Sequence, residues 1–168
     1  MDESRTAVVR PAETEELDRA LAVWQHAHVV RRNGRPLPAG HVTASAARVR
    51  RPGALVLIAL DGDAVVGTVA GEQGLAQDGA GAPVPGLMHL CLLSVAPDRW
   101  GHRLGHLLLD AVAAEAAERG YERLQLWTHA DNLRANRLYK SLRFRRTGRA
   151  LIDPWGELLV QYQRPVAG

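Results

Sequence analysis

Apolar positions along the chain fall into two kinds of run: short blocks at strand spacing, and longer stretches that repeat every three to four residues. Thr6–Arg10 reads as an opening strand that Pro11 stops. Leu55–Leu60 and Ala64–Gly71 form a predicted hairpin across Asp61-Gly62-Asp63. Leu87–Val95 is nearly continuous apolar sequence, as expected of a strand buried on both faces. Arg123–Thr128 is the next strand, and Phe144–Gly148 and Glu157–Gln163 complete the set across the turn at Asp153-Pro154-Trp155-Gly156.

Helical spacing occupies the gaps. Leu17, Ala20, Leu21, Trp24 and His28 share one face of a helix that Thr14 is placed to cap, and a shorter helix is predicted near Thr43–Arg50. From Leu104 the row Leu104, Leu108, Val112 runs beside Leu107 and Ala111, with Glu115 and Glu118 outward and Gly120 as a left-handed stop. Asp131 or Asn132 caps a last helix ending near Leu142. Arg31–Gly40 is turn-rich, and Gln77–Gly86 reads as a flexible connector without core residues. Strands interleaved with helices over 168 residues predict one α/β domain spanning 1–168, built around a mixed sheet.

Composition narrows the function classes. Apolar content of 46% and charged content of 23% are those of an ordinary soluble globular chain. The polar start MDESRTAVVR does not read as a secretory signal, and no apolar run reaches bilayer length, so a cytoplasmic protein without membrane contact is expected. One cysteine, Cys91, excludes an internal disulfide and a multi-thiolate metal site. Cys91 itself reads as a small core residue, and no metal is expected. The net charge of +3 is carried almost wholly by arginine, in clusters at Arg31, Arg32, Arg35 and at Arg143, Arg145, Arg146, Arg149. Such clusters usually form a solvated face, and nucleic acid is not expected as a partner.

The most informative stretch is LCLLSVAPDRWGHRLGHLLL, Leu90–Leu109: an apolar strand, a Val-x-Pro exit, a Gly-bearing turn, then a helix. The first helical N–H groups lack intrahelical acceptors and the macrodipole leaves partial positive charge there, so Gly101, His102, Arg103, Leu104, Gly105 and His106 make a candidate cradle for a phosphate chain. The same residues also suit a plain tight turn. A second segment, HADNLRANRLYKSLRF, opens a helix with Asn132, Asn136 and Tyr139.

Together the two segments resemble the GNAT superfamily of acyl-CoA-dependent N-acyltransferases. The first matches the family's Val-x-Pro and Arg/Gln-x-x-Gly-x-Gly/Ala pattern at Val95-Ala96-Pro97 and Trp100 to Gly105. The second matches Asn-x-x-Ala-x-x-x-Tyr-x-x-x-Gly-Phe at Asn132, Ala135, Tyr139 and Phe144. The likeness covers Leu87–Phe144 most closely. Three residues depart from it: Trp100 replaces Arg or Gln, and Arg103 and Arg143 replace glycines. Arg103 is tolerable there if its φ is helical and its side chain points outward, whereas a position that needs positive φ would impair cofactor binding. The resemblance implies a GNAT-like, mostly antiparallel mixed sheet flanked by helices, with acetyl-CoA as co-substrate and a small-molecule or peptide amine as acceptor. A homodimer is one assembly open to such a chain.

That resemblance also implies roles. Leu93, Ser94 and Val95 would hold the pantetheine arm through their backbone, provided a bulge splays the strand, with the Val95 N–H as oxyanion donor. Tyr139 would protonate the leaving thiolate, or merely pack near its helix end. Asn132 and Asn136 would contact the cofactor, or Asn132 would only cap. His89 and Glu72 compete as general base, with a structural role open to the histidine. The acceptor pocket would draw on His26, His28, Arg31, Arg32, His41 and Trp155. Two other readings are weighed against the N-acetyltransferase: a CoA-binding interaction module without catalysis, and a basic nucleic-acid-binding domain.

Overall fold

The computed structural model describes residues 6–167. In chain order the elements are β1 (Val8–Pro11), α1 (Leu17–Arg31), α2 (Ala39–Arg48), β2 (Leu55–Asp61), β3 (Ala64–Leu75), β4 (Pro83–Val95), α3 (Leu104–Glu118), β5 (Arg123–His129), α4 (Leu133–Ser141), β6 (Arg145–Ile152) and β7 (Leu158–Pro165). The strands hydrogen-bond in the order β1-β2-β3-β4-β5-β7-β6, a seven-stranded sheet. β4 and β5 run parallel, whereas β1–β2, β5–β7 and β6–β7 are antiparallel. The α/β class and the mixed sheet are those the interleaved pattern predicts.

Two compact units divide the chain, and strands β3 and β4 pass through both. The first unit holds the residues up to Ala70 and Leu92–Val112. Its core is the apolar run of β2, in which Leu57, Ile58 and Ala59 are at most 1% exposed, with Trp24 of α1 and Leu108 and Leu109 of α3. Gly67 lies in close approach: a Cβ would stand 3.0 Å from Leu108 Cδ1 and 3.2 Å from the Ser94 carbonyl oxygen, contacts that the neighbours would have to relieve. The second unit holds Gly71–Cys91 and the residues from Ala113 onward. Met88, Leu124, Leu126 and Tyr162 are buried in it, together with Tyr139 and Phe144.

Several boundaries differ from the sequence reading, each for a local reason. The first helix is not capped by Thr14. Glu13 and Glu16 form a reciprocal capping box around a 3-10 turn at Thr14–Glu16, and α1 follows. α2 starts at Ala39 rather than Thr43, taking up the end of the expected loop behind Pro38. Pro11 belongs to β1 instead of ending it, which an edge strand permits. β3 runs on to Leu75 and β4 begins at Pro83, so the expected connector is only the short turn around Gln77–Gly79. Gln73 secures this extension, its amide donating to the carbonyls of Gly74 and Val84 at 2.9 and 2.8 Å. β6 and β7 likewise exceed their predicted lengths.

Candidate active site

In the first unit, the upper half of β4 leads into the proposed cradle. Leu92 adopts φ +58°, a left-handed residue inside a strand, and such a residue interrupts the pleat as a bulge does. The interruption falls immediately before Leu93, Ser94 and Val95, the residues expected to offer their backbone. Ser94 is buried, while Leu93 and Val95 are half-buried. Sequence predicted continuous burial over Leu87–Val95. The structure instead buries Leu87, Met88 and Leu90 and leaves Cys91, Leu92 and Leu93 partly open.

Beyond Val95 the chain is stapled. The Ala96 N–H donates to Val66 O at 2.8 Å, Pro97–Arg99 forms a 3-10 turn, and Arg99 pairs with Asp61. Trp100, the residue that replaces the family's Arg or Gln, donates its indole N–H to Val95 O at 2.8 Å. It thereby closes the turn with an indole where the family pattern has Arg or Gln. Within the turn the His102 N–H is taken by Arg99 O, and the Leu107 N–H by Arg103 O. Among the described residues no backbone carbonyl outside the helix receives the N–H groups of Leu104 or Gly105. They open the first turn of α3, which carries no acidic residue. A helix N-terminus of this kind is chemically suited to a diphosphate.

Arg103 corrects the sequence expectation. Its φ is +60°, not helical, so a side chain sits where the family pattern has glycine. The cost of the left-handed region is roughly 1–2 kcal/mol for an L-residue. The arginine is exposed, which lets its guanidinium project into solvent beside the cradle.

In the second unit, α4 presents the other candidate residues. Asn132 is the N-cap, its side-chain oxygen accepting from the Ala135 N–H at 3.2 Å. Asn136 is 5% exposed and committed to the fold. Its nitrogen donates to the Asn132 and His129 carbonyls at 2.7 and 3.2 Å. Its oxygen accepts from the Tyr162 hydroxyl at 2.7 Å and from Arg146 at 3.3 Å. The expected cofactor contact by that side chain has no free atom to make it. Tyr139, one helical turn on, is 5% exposed, with its ring edge-on to Phe144 at 5.7 Å and tilted against Tyr162 at 5.6 Å. Burial, and secondarily Tyr162, raise its pKa above the ordinary phenol value, so the hydroxyl stays protonated throughout the neutral range.

Arg143 explains its own departure. It is the residue past the end of α4, at φ +68°. The Phe144 N–H donates to Tyr139 O at 3.0 Å and the Arg143 N–H to Lys140 O at 3.2 Å. This is a Schellman stop, and its accompanying apolar contact is the Tyr139–Phe144 ring pair. The missing glycine therefore concerns the helix end that fixes Tyr139.

His89 and Glu72 both lie in this unit on half-buried strand positions, and neither is free of interactions. Cys91 is a half-buried thiol outside any disulfide. Sequence reasoning missed one further pair: His129 Nε2 meets Glu157 Oε2 at 2.6 Å, both half-buried. Asp153 lies in the same turn, its Oδ1 accepting from the Trp155 and Glu157 N–H groups. The pair depends on the β5–β7 register, which no local pattern reveals. Of the residues assigned to the acceptor pocket, His28 and His41 flank Trp24 in the first unit, with His41 stacked on the indole at 5.4 Å and 14°. Trp155 stands 43% exposed at the β6–β7 turn of the second unit. Among the described residues, no helix is long and apolar enough to cross a membrane.

The sheet pairs β4 and β5 in parallel, and β4 is interrupted at Leu92 before a glycine-bearing turn and the start of α3. The chain belongs to the acetyltransferase (GNAT) family, whose model matches residues 9–144. It is 38% identical over 111 residues to a mycothiol acetyltransferase from Clavibacter sepedonicus, covering 66% of this chain and 31% of that protein. The chain thus matches about a third of that relative's length. Among solved structures it is similar to the ribosomal-protein-S18-alanine N-acetyltransferase of Escherichia coli, with a TM-score of 0.72 and 21% identity over 96% of this chain and 94% of the other. It is also similar to a Salmonella typhimurium protein solved with its cofactor acetyl-CoA, with a TM-score of 0.73 and 20% identity over 96% and 94% of the two chains. At these identities the structural likenesses establish the fold.

Proposed function

We propose that the chain is an N-acetyltransferase that moves the acetyl group of acetyl-CoA to a primary amine of a small molecule or peptide by direct attack in a ternary complex. The observation that carries this reading is the α3 N-terminus, where the Leu104 and Gly105 N–H groups have no carbonyl acceptor outside the helix, on a chain of the GNAT family. Support for the cofactor comes from relatives: the Salmonella typhimurium protein was solved with acetyl-CoA, and an N-acetyltransferase from Thermoplasma acidophilum with coenzyme A.

When bound, acetyl-CoA supplies an acyl group activated as a thioester. In this reading the turn after β4 and the strand end before it bind and orient. The amides of Gly101, Arg103, Leu104, Gly105 and His106 hold the diphosphate, and the His102 side chain rather than its amide faces it. The Leu93–Val95 backbone aligns the pantetheine arm as an added strand, and the Val95 N–H polarises the acyl oxygen. Proton transfer falls to Tyr139 and to His89 or Glu72. Tyr139 gives a proton to the departing sulfur, and His89 or Glu72, directly or through water, takes the proton lost by the amine. Asn132 contributes through the cap that starts α4. Asn136 contributes by locking that helix to Tyr162.

Isothermal titration with acetyl-CoA tests the binding half, and thiol release across a panel of amines tests the transfer half. Micromolar binding with amine-dependent thiol release is expected. Absence of acetyl-CoA binding overturns the assignment. Binding without release to any amine leaves a CoA-responsive module in its place.

A further inference from the structure

Trp100 stands where the family pattern has Arg or Gln, and its indole is turned back onto the strand that it follows. Strand β4 ends at Val95, the 3-10 turn Pro97–Arg99 comes next, and the Trp100 indole N–H reaches Val95 O at 2.8 Å. The turn is itself held by Arg99, which pairs with Asp61 at the end of β2. All of these residues belong to the first unit.

The direction of the Val95 backbone follows from its neighbours. The Ser94 carbonyl oxygen lies against β3, 3.2 Å from where a Cβ on Gly67 would stand. The Ala96 N–H also points to β3, donating to Val66 O at 2.8 Å. A trans peptide unit carries its C=O and N–H on opposite sides, and the peptide bonds described are all trans. Both the N–H and the C=O of Val95 therefore face away from β3, as the two groups of one strand residue do. β4 pairs with β5 over Leu87–Leu90, short of this end. Trp100 takes the carbonyl of this outward pair and not the N–H.

The two groups have opposite polarity and stand side by side at the end of one strand. An acyl oxygen drawn to the N–H meets the partial negative charge of the carbonyl beside it. A hydrogen bond to that carbonyl offsets the charge, and it holds the Val95–Ala96 peptide at both ends, by the indole and by Val66 O. Indole suits the task because its nitrogen only donates, so it brings no competing acceptor to the acyl oxygen. We infer that Trp100 is a positioning residue for acetyl transfer, masking the Val95 carbonyl so that β4 ends in a single donor aimed at the thioester oxygen. The inference rests on the proposed function, in which the Val95 N–H polarises that oxygen.

The test needs no amine acceptor. Acetyl-CoA isotope-labelled at the thioester carbonyl carbon is bound to the full chain, difference infrared spectroscopy reads the carbonyl stretch, and calorimetry reads the affinity. In the wild type the stretch should lie below that of free acetyl-CoA. In Trp100→Phe, which keeps an aromatic ring and loses the N–H, at least about half of that lowering should disappear while the dissociation constant changes less than about twofold. Trp100→benzothienylalanine, an isostere with sulfur in place of the N–H, should give the same result and serves if the phenylalanine variant does not fold. A lowering that survives in a folded variant overturns the role of Trp100, as does a wild-type stretch equal to that of the free thioester. Lost affinity with an unmoved stretch makes Trp100 a plain support of the turn and overturns the inference as well. Absence of acetyl-CoA binding to the wild type is a different result, which removes the proposed function and this inference with it.

Discussion

Tyr139 carries the sharpest prediction at the scale of single residues, because burial both keeps its phenol protonated and fixes its direction. Tyr139→Phe retains the packing against Phe144 and Tyr162 and removes only the proton. Turnover is expected to fall by about 10²–10³-fold with acetyl-CoA affinity changed less than about twofold, as for loss of a general acid. Steady-state kinetics beside calorimetry checks this, and unchanged turnover would remove Tyr139 from the chemistry.

Glu16 gives a pH prediction of known sign. The Arg10 guanidinium forks onto it at 2.7 and 2.9 Å, and the Glu13 N–H adds a bond at 2.9 Å. These hold its carboxyl at about 2, below its ordinary 4.5. A depressed pKa means stability that is present above 4.5 and lost as pH falls toward 2. Chemical denaturation of wild type and Glu16→Gln across this range should show wild type more stable at pH 6 and the difference shrinking through the window. A constant difference would mean that the ion pair contributes nothing through ionisation.

At the scale of elements, two helix ends are held by arginines in left-handed conformation. Arg143 closes α4 at φ +68° and Arg103 precedes α3 at φ +60°. Glycine adopts this region without the Cβ penalty, so Arg143→Gly should stabilise the chain by about 1 kcal/mol in urea unfolding. Arg103→Gly should stabilise it similarly and leave the α3 amides in place, so acetyl-CoA binding should persist. A loss of binding would show that the guanidinium itself grips phosphate.

The element boundaries show why local pattern is an incomplete guide. Thr14 looked like a cap because its hydroxyl type suits one, yet the reciprocal Glu13–Glu16 box took that role. Gln77–Gly86 looked like a loop because of its Gly and Pro content, yet pairing with β3 drew Pro83–Gly86 into β4. Local preference is worth tenths of a kcal/mol per residue, and a neighbouring strand or ion pair exceeds it.

For the molecule as a whole, binding of acetyl-CoA to the native state alone should raise its thermal stability by mass action. At a concentration about 100 times the dissociation constant the gain is about 2.7 kcal/mol, or roughly 5–10 °C for a chain of this size. A thermal melt at saturating acetyl-CoA checks it, and an unmoved melting temperature would remove the proposed cofactor.

The sequence by itself determined the α/β class, the order of helices and strands and the family, because hydrophobic period, helix starts and a glycine-bearing turn are local properties written in neighbouring residues. The turn at Gly101 and the helix cap at Asn132 were legible for that reason. Only the tertiary structure decided that Leu92 interrupts β4, that Arg103 is left-handed, that Asn136 is consumed by Tyr162 and Arg146, and that His129 meets Glu157. Each of these depends on strand register or on contacts between residues far apart in the chain. Such contacts are settled by the burial and hydrogen bonding of the assembled sheet, whose energies outweigh any single residue's preference.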